Sequence, residues 1–339
     1  MSLSQNVDVC VVGGGSGGIG AAVSTSRHGA ETLLIEASPC LEGISTRAGV
    51  NNYEPVAGAT GCESAIGFEP KTVYDEPSVP DEHKSVLNNA SLCYRITPLK
   101  EDEQTEISDP PKGIDLDELN PVTSIRTYAN GDRNMNPQRL MTGQEAFDLG
   151  NKAYKESLRR IKAQWYVLQT KYGFEFERWK MRWISPMLGI RETHRLVGEH
   201  VLTEHDVETP LEASTHDDIV AFADHALDFH GSRPSRQLVN GPYGIPFRCL
   251  LTKEFDNLLV ACRGASFSSI CASTCRLSRT MMVLGQAAGS AAALFGSSVK
   301  QFKAKNSRNT LRSDGIALDL ADGYLDAMSD VQPKQETDW

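Results

Sequence analysis

The sequence predicts an α/β fold in three layers, a mostly parallel sheet between helices, with an α+β region inserted into it. Three observations predict it. The apolar run Val7-Asp8-Val9-Cys10-Val11-Val12 leads directly into "GGGSGGIG", six glycines in the eight positions 13–20. A second set of small residues, Gly285, Ala287, Ala288 and Gly289 followed by three alanines at 291–293, comes only near the other end of the chain. Between the two sets lies a stretch broken by prolines and then one long amphipathic pattern, so an insertion into a single domain is the economical reading.

Taken in order, residues 7–12 read as a buried strand, 17–28 as a helix closed by Gly29, and 31–35 as a second strand ending at Glu36. Gly13, Gly15 and Gly18 occupy the G-x-G-x-x-G positions of this βαβ unit. The first permits the tight turn, the second lets the backbone approach a pyrophosphate, and the third lets helix close on strand. Gly14, Ser16 and Gly17 complete a loop whose amides and helix start present partial positive charge to a phosphate. Glu36 lies 18 residues beyond Gly18, where a carboxylate accepts hydrogen bonds from both ribose hydroxyls and repels a 2′-phosphate, which disfavours NADP. The motif alone leaves NAD and FAD open.

Residues 55–136 carry Pro70, Pro77, Pro80, Pro98, Pro110, Pro111 and Pro121 and read as long loops with short strands, 90–97 among them. Thr142-Gly143-Gln144-Glu145 has capping-box spacing, and Phe147, Tyr154, Leu158, Ile161, Trp165 and Leu168 recur at helical intervals, which predicts one helix over 143–171. Its basic face, Lys152, Lys155, Arg159, Arg160 and Lys162, reads as solvated. Arg191 and Arg195 point to the same side if the chain there is extended. They need anionic partners: a substrate carboxylate, a cofactor phosphate, or Glu192 and Glu199. Thr203 reads as a helix start, 257–261 as a short buried strand, and 276–294 as a helix rich in Gly and Ala.

Of the 339 residues, 40% are hydrophobic and 23% charged, an ordinary soluble composition, and no apolar run is long enough to cross a bilayer. A net charge of −10 argues against nucleic acid and anionic membrane as partners. The first residues lack the basic and apolar regions of a secretory signal, so a cytoplasmic location is expected. Eight scattered cysteines without a CxxC pair suggest reduced thiols and no metal, with Cys271 and Cys275 as two small buried groups.

After Glu36 the stretch "EASPCLEGISTRAGVNNY" continues as a polar, glycine-bearing loop instead of a helix. With this loop, with "MLGIRETHRLVGEHVLTEHDV" at 187–207 and with the chain from about 226 to 320, the sequence resembles the FAD-dependent oxidoreductases of the glutathione-reductase-like superfamily, related in their nucleotide domain to fumarate reductase flavoproteins. The resemblance implies a Rossmann-like FAD-binding domain made of 1–60 and 241–300, an inserted cap or substrate region at 61–240, and a polar tail at 301–339. It implies FAD held by Gly13, Gly14, Gly15, Ser16, Gly17, Gly18, Glu36, Ala37, Gly43 and Arg47. Gly285 and Ala288 would lie where the late helix approaches the flavin ring. It also implies substrate handling by Arg191, Arg195, Tyr243, Arg248 and the His230 of Asp228-Phe229-His230. The chain departs from the family at Cys262, where a glycine is usual, and in lacking an acidic "ATGD"-like stretch; the position of Cys40 does not reproduce a disulfide-reductase redox pair. The expected activity is hydride transfer between a small organic substrate and flavin. A non-catalytic FAD- or ADP-binding module and an NAD-dependent dehydrogenase are the alternatives, and the oligomeric state is open.

Overall fold

Strands β1 (Val9–Val12) and β2 (Thr32–Ile35) lie parallel, Val9 opposite Thr32 and Val12 opposite Ile35, and α1 (Ser16–Arg27) connects them. The computed structural model describes residues 6–36, 41, 61–79, 87–119, 121, 123–229, 238 and 240–322, with the backbone alone of 304–306 and 336–337. The elements that follow are β3 (Ser64–Ala65), α2 (Lys71–Tyr74), β4 (Tyr94–Pro98), β5 (Thr123–Thr127), β6 (Arg133–Pro137), α3 (Gly143–Leu149), α4 (Ala153–Lys171), α5 (Gly173–Phe176), β7 (Trp179–Ile184), β8 (Arg195–Leu196), α6 (Glu204–Val207), β9 (Ile219–Ala223), β10 (Tyr243–Pro246), α7 (Ser269–Cys275), α8 (Ser278–Phe295), α9 (Ala304–Ser313) and β11 (Glu336–Thr337). The amino-terminal βαβ unit thus forms within two residues of the expected bounds.

The mostly parallel sheet does not extend beyond that unit among the described residues. Every other named strand pair there is antiparallel. The largest sheet runs β11-β5-β6-β4-β7. No helix separates β4, β5 and β6, and strands joined without a crossover helix pair most readily in opposite directions. In β4, Tyr94 and Ile96 are buried against α4, where the Tyr94 ring meets Trp165 edge-on at 6.3 Å and its hydroxyl donates to Gln164 Oε1 at 3.2 Å. Ser91, Cys93 and Arg95 alternate with them and face the other way.

The helix expected over 143–171 is broken in two. Gly150 adopts φ +50°, a conformation that L residues rarely take, and a 3₁₀ turn (Gly150–Lys152) separates α3 from α4. The Thr142 hydroxyl accepts from the Glu145 amide at 3.1 Å, whereas the Glu145 carboxylate pairs with Arg160 and does not close the capping box. The expected strand at 257–261 is reduced to a single bridge between Leu251 and Leu259. The late helix expected over 276–294 forms as α8, and a separate short helix, α7, precedes it with Cys271 and Cys275 buried on it. The segment expected as a polar tail contributes α9 and β11, the latter an edge strand on β5. No helix among the described residues is long and apolar enough to cross a membrane.

Candidate functional site

The site begins at the turn between β1 and α1. Gly13 has φ +97° and its amide donates to Ile35 O at 2.8 Å, which ties the turn to β2. A Cβ on Gly18 would sit 1.7 Å from Gly13 O, so only glycine lets α1 start this close to the turn. At Gly15 a Cβ would meet nothing within 4 Å, and this residue caps the 12-residue α1 without a side-chain hydrogen bond. The first turn of α1 carries no acidic residue. Glu36, at the end of β2, accepts the Gly14 amide at 2.6 Å, which brings a carboxylate to the mouth of the turn.

The two ends of the chain meet here. A Cβ on Gly17 would lie 2.1 Å from Ala261 O, and one on Gly285 would lie 1.9 Å from Gly17 O. Gly20 and Gly289 repeat the pattern against Met282 O and Ala21 O, at 2.3 and 2.4 Å. The crossing is completed by the Ser24 and Ser290 hydroxyls, 2.9 Å apart, and by Asp314, which accepts from Ser290 and contacts His28 at 2.8 Å. Gly285 therefore serves a backbone-to-backbone helix crossing, and Ala288 is buried beside it.

Sequence matching agrees with this geometry: the model of the FAD dependent oxidoreductase family matches residues 8–67 and 55–305. The chain belongs to the FAD dependent oxidoreductase family. Searches of curated proteins and of solved structures return no match. Membership implies a Rossmann-like α/β fold, flavin-linked redox chemistry and FAD as cofactor. The residues present fit that group, since Gly15 leaves open space at an uncapped helix start and Glu36 places a carboxylate at the end of the second strand, where ribose hydroxyls would need an acceptor.

Around this FAD dependent oxidoreductase turn, the other expected residues separate into two sets. Arg191 donates to Asn89 O and Gly189 O at 3.0 and 3.2 Å and to Ser91 Oγ at 3.0 Å. Arg263, two residues beyond the carbonyl that touches Gly17, donates to Ile190 O at 3.1 Å. Burial and then the neighbouring Arg276 pull Arg191 down to about 9, and burial pulls Arg263 down to about 10. Both sit inside segments that the sequence reading singled out, yet Arg263 and Arg276 were missed because nothing local marks an arginine whose partner comes from another element. Cys262, between Ala261 and Arg263, is exposed, and its Sγ accepts from the Gly264 amide at 3.4 Å.

Arg195 belongs to a different set. Its side chain is 1% exposed and donates to Phe267 O at 2.9 Å, Gly67 O at 2.7 Å, Glu69 Oε1 at 2.5 Å and Glu192 Oε1. The two arginines do not share an edge, because only Arg195 lies in a strand, the two-residue β8. Tyr243 is likewise fully buried, its hydroxyl donating to Thr274 at 3.1 Å. Both residues tie buried elements together through these bonds. His230, Ala37, Gly43 and Arg47 lie outside the described residues.

Beside Arg195, the buried Glu76 accepts from the Glu204 amide at 2.8 Å and from Ser268 Oγ at 2.5 Å, while its Oε2 has no hydrogen-bond partner. Burial raises its carboxyl from 4.5 to about 7. A raised acid contributes stability that is fully present below pH 4.5 and is lost as pH rises through about 7. Each unit is worth about 1.4 kcal/mol. Glu76→Gln should keep the accepted bonds and abolish this slope, so its melting temperature should exceed that of the unmodified protein at pH 8 by a few degrees while the two converge near pH 5. An unchanged pH dependence in the variant would refute the assignment.

Arg248 pairs with Asp218, Nε to Oδ2 at 3.0 Å, and donates to His216 Nδ1 at 3.2 Å. His216 Nδ1 is therefore an acceptor, and its Nε2–H donates to Asp206 Oδ1 at 2.8 Å. Against burial, which would raise it, the neighbouring histidines and the Thr203 amide hold the Asp206 carboxyl below its usual range. His200, Asp206 and His216 have metal-like spacing, their ligand atoms within 4.8 Å of one another. A metal-bound imidazole needs its second nitrogen to donate to an acceptor, and here that nitrogen faces a guanidinium. The cluster reads as a hydrogen-bonded staple between α6 and the start of β9, with Arg248 as part of it.

Proposed function

We propose that this chain is a catalytically competent FAD-dependent oxidoreductase that passes a hydride between a small organic substrate and flavin at the junction of the glycine turn and the cap. The observation that carries this reading is the meeting of Gly17, Ala261 and Gly285, which puts the phosphate-binding turn, the 261–263 segment and α8 around one place. When bound, the flavin supplies the two-electron acceptor or donor. The chain's residues bind and orient: the turn holds the diphosphate, the positive end of α1 offsets its charge, and Glu36 takes the ribose hydroxyls.

Purified protein is expected to show flavin absorbance in the visible, and Gly15→Leu should remove it while circular dichroism stays unchanged. A colourless protein that takes up no added FAD would overturn the proposal. Bound flavin that no donor reduces would favour the non-catalytic module, and stabilisation by NAD but not FAD would favour the dehydrogenase.

A further inference from the structure

Three guanidinium groups, those of Arg191, Arg263 and Arg276, lie close enough to perturb one another electrostatically. Among the described residues only Arg276 of the three is matched by a carboxylate, that of Asp228 at 3.3 Å, and it also donates to the Asp228 carbonyl at 2.9 Å. Arg191 and Arg263 bind carbonyls and one hydroxyl, and no acidic group among the described residues comes within 4 Å of either. A guanidinium carries five N–H donors. Among the described residues, one Arg263 donor finds an acceptor and Arg191 makes three bonds, so Arg263 keeps most of its donors available and Arg191 part of its set. Both remain charged at neutral pH, and two half-buried cations with no carboxylate partner among the described residues are stabilised by an anion that joins them.

That anion has two possible sources, the cofactor's diphosphate and a substrate. The diphosphate is already addressed by Gly15 and the start of α1. The arginines are oriented from the cap side. Arg263 is held by the carbonyl next to Arg191, and Arg191 is held by Ser91, whose hydroxyl donates to Asn136 Oδ1 on β6 at 3.1 Å. The carbonyls of Asn89, Gly189 and Ile190 also put partial negative charge beside the free donors. A two-oxygen monoanion tolerates this better than a phosphate dianion, and its planar edge matches the guanidinium fork.

We propose that Arg191 and Arg263 form the anion subsite for the substrate, and that the substrate is a carboxylate-bearing organic molecule; this rests on the flavin reading above. The test uses the full chain reconstituted with FAD and titrated at constant ionic strength with acetate, lactate and succinate, with inorganic phosphate as the rival. Melting temperature and flavin absorbance are read together. At least one carboxylate should raise the melting temperature and perturb the flavin spectrum. Arg191→Gln and Arg263→Gln should each weaken that affinity at least tenfold with FAD uptake unchanged, and Arg263→Lys should recover part of it.

The proposal fails if no carboxylate shifts the unmodified protein or if phosphate binds better than every carboxylate. It also fails if the glutamine variants bind carboxylates normally, or if they lose FAD instead. Should the chain take up no FAD, the flavin reading falls alone, because the melting-temperature titration of the cofactor-free chain still decides whether the arginines hold a carboxylate.

Discussion

Gly285→Ala lowers the melting temperature of the full chain by about 5 °C or more, although alanine is the better helix former by about 1 kcal/mol. The added carbon would sit 1.9 Å from Gly17 O and 2.6 Å from the Gly17 carbonyl carbon, both rigid backbone atoms. Helices α1 and α8 must separate, and the separation also strips the contacts at Gly20 and Gly289. Overpacking of this kind costs about 1–3 kcal/mol and outweighs the gain in propensity. The same change at Gly15 has the opposite signature. Its φ of −69° and ψ of −179° suit any residue, and nothing lies within 4 Å of the new carbon. Gly15→Ala should therefore melt within about 2 °C of the parent while binding FAD more weakly. Thermal melts with and without FAD separate the two outcomes. If Gly285→Ala melts like the parent, the crossing is looser than its backbone contacts indicate.

This pair also shows what was legible in the sequence. The strand, turn and helix at the amino terminus were readable because their apolar period and glycine spacing are local. The small residues of α8 were readable as a surface meant for close approach, but the sequence held no information on what approaches. The approaching group at Gly285 is Gly17, from the turn itself, and the pairing of two helices some 260 positions apart leaves no local mark. Helix 143–171 failed at Gly150 for a related reason. Periodicity continued across the break, and the one glycine that adopts positive φ was outvoted by the apolar stripe around it. The antiparallel sheet was hidden because its strands are short, and residues such as Arg95, Asn134 and Asn136 on its open face do not spell an apolar alternation. Of the arginines, Arg191 and Arg195 looked equivalent at four-residue spacing. Their roles separate only when Glu69 and Gly67, far earlier in the chain, close around Arg195.

That separation makes the second large effect predictable. Arg195→Met should destabilise the chain by about 3–5 kcal/mol, the usual cost of removing one member of a buried ion pair. The methionine fills much of the same volume, so the loss is chiefly electrostatic. Glu192, whose side chain is 1% exposed, and Glu69, at 10%, are left without a cation, and the carbonyls of Gly67 and Phe267 lose their donors. Glu192 still accepts from Asn88 Nδ2 at 3.0 Å and from Ser269 Oγ at 2.7 Å, neutral donors that cannot replace the charge. Adding Glu192→Gln to Arg195→Met should therefore return part of the stability, because the uncompensated carboxylates fall from two to one; neighbouring sites in one network are expected to couple in this way. Arg195→Lys should remain well below the parent, since a single ammonium cannot reach four acceptors set around a planar fork. A residue that handles substrate would give the reverse pattern, a stable protein without turnover. Urea denaturation of the three variants decides between the roles, and an Arg195→Met protein within about 1 kcal/mol of the parent would transfer Arg195 from the scaffold to the site.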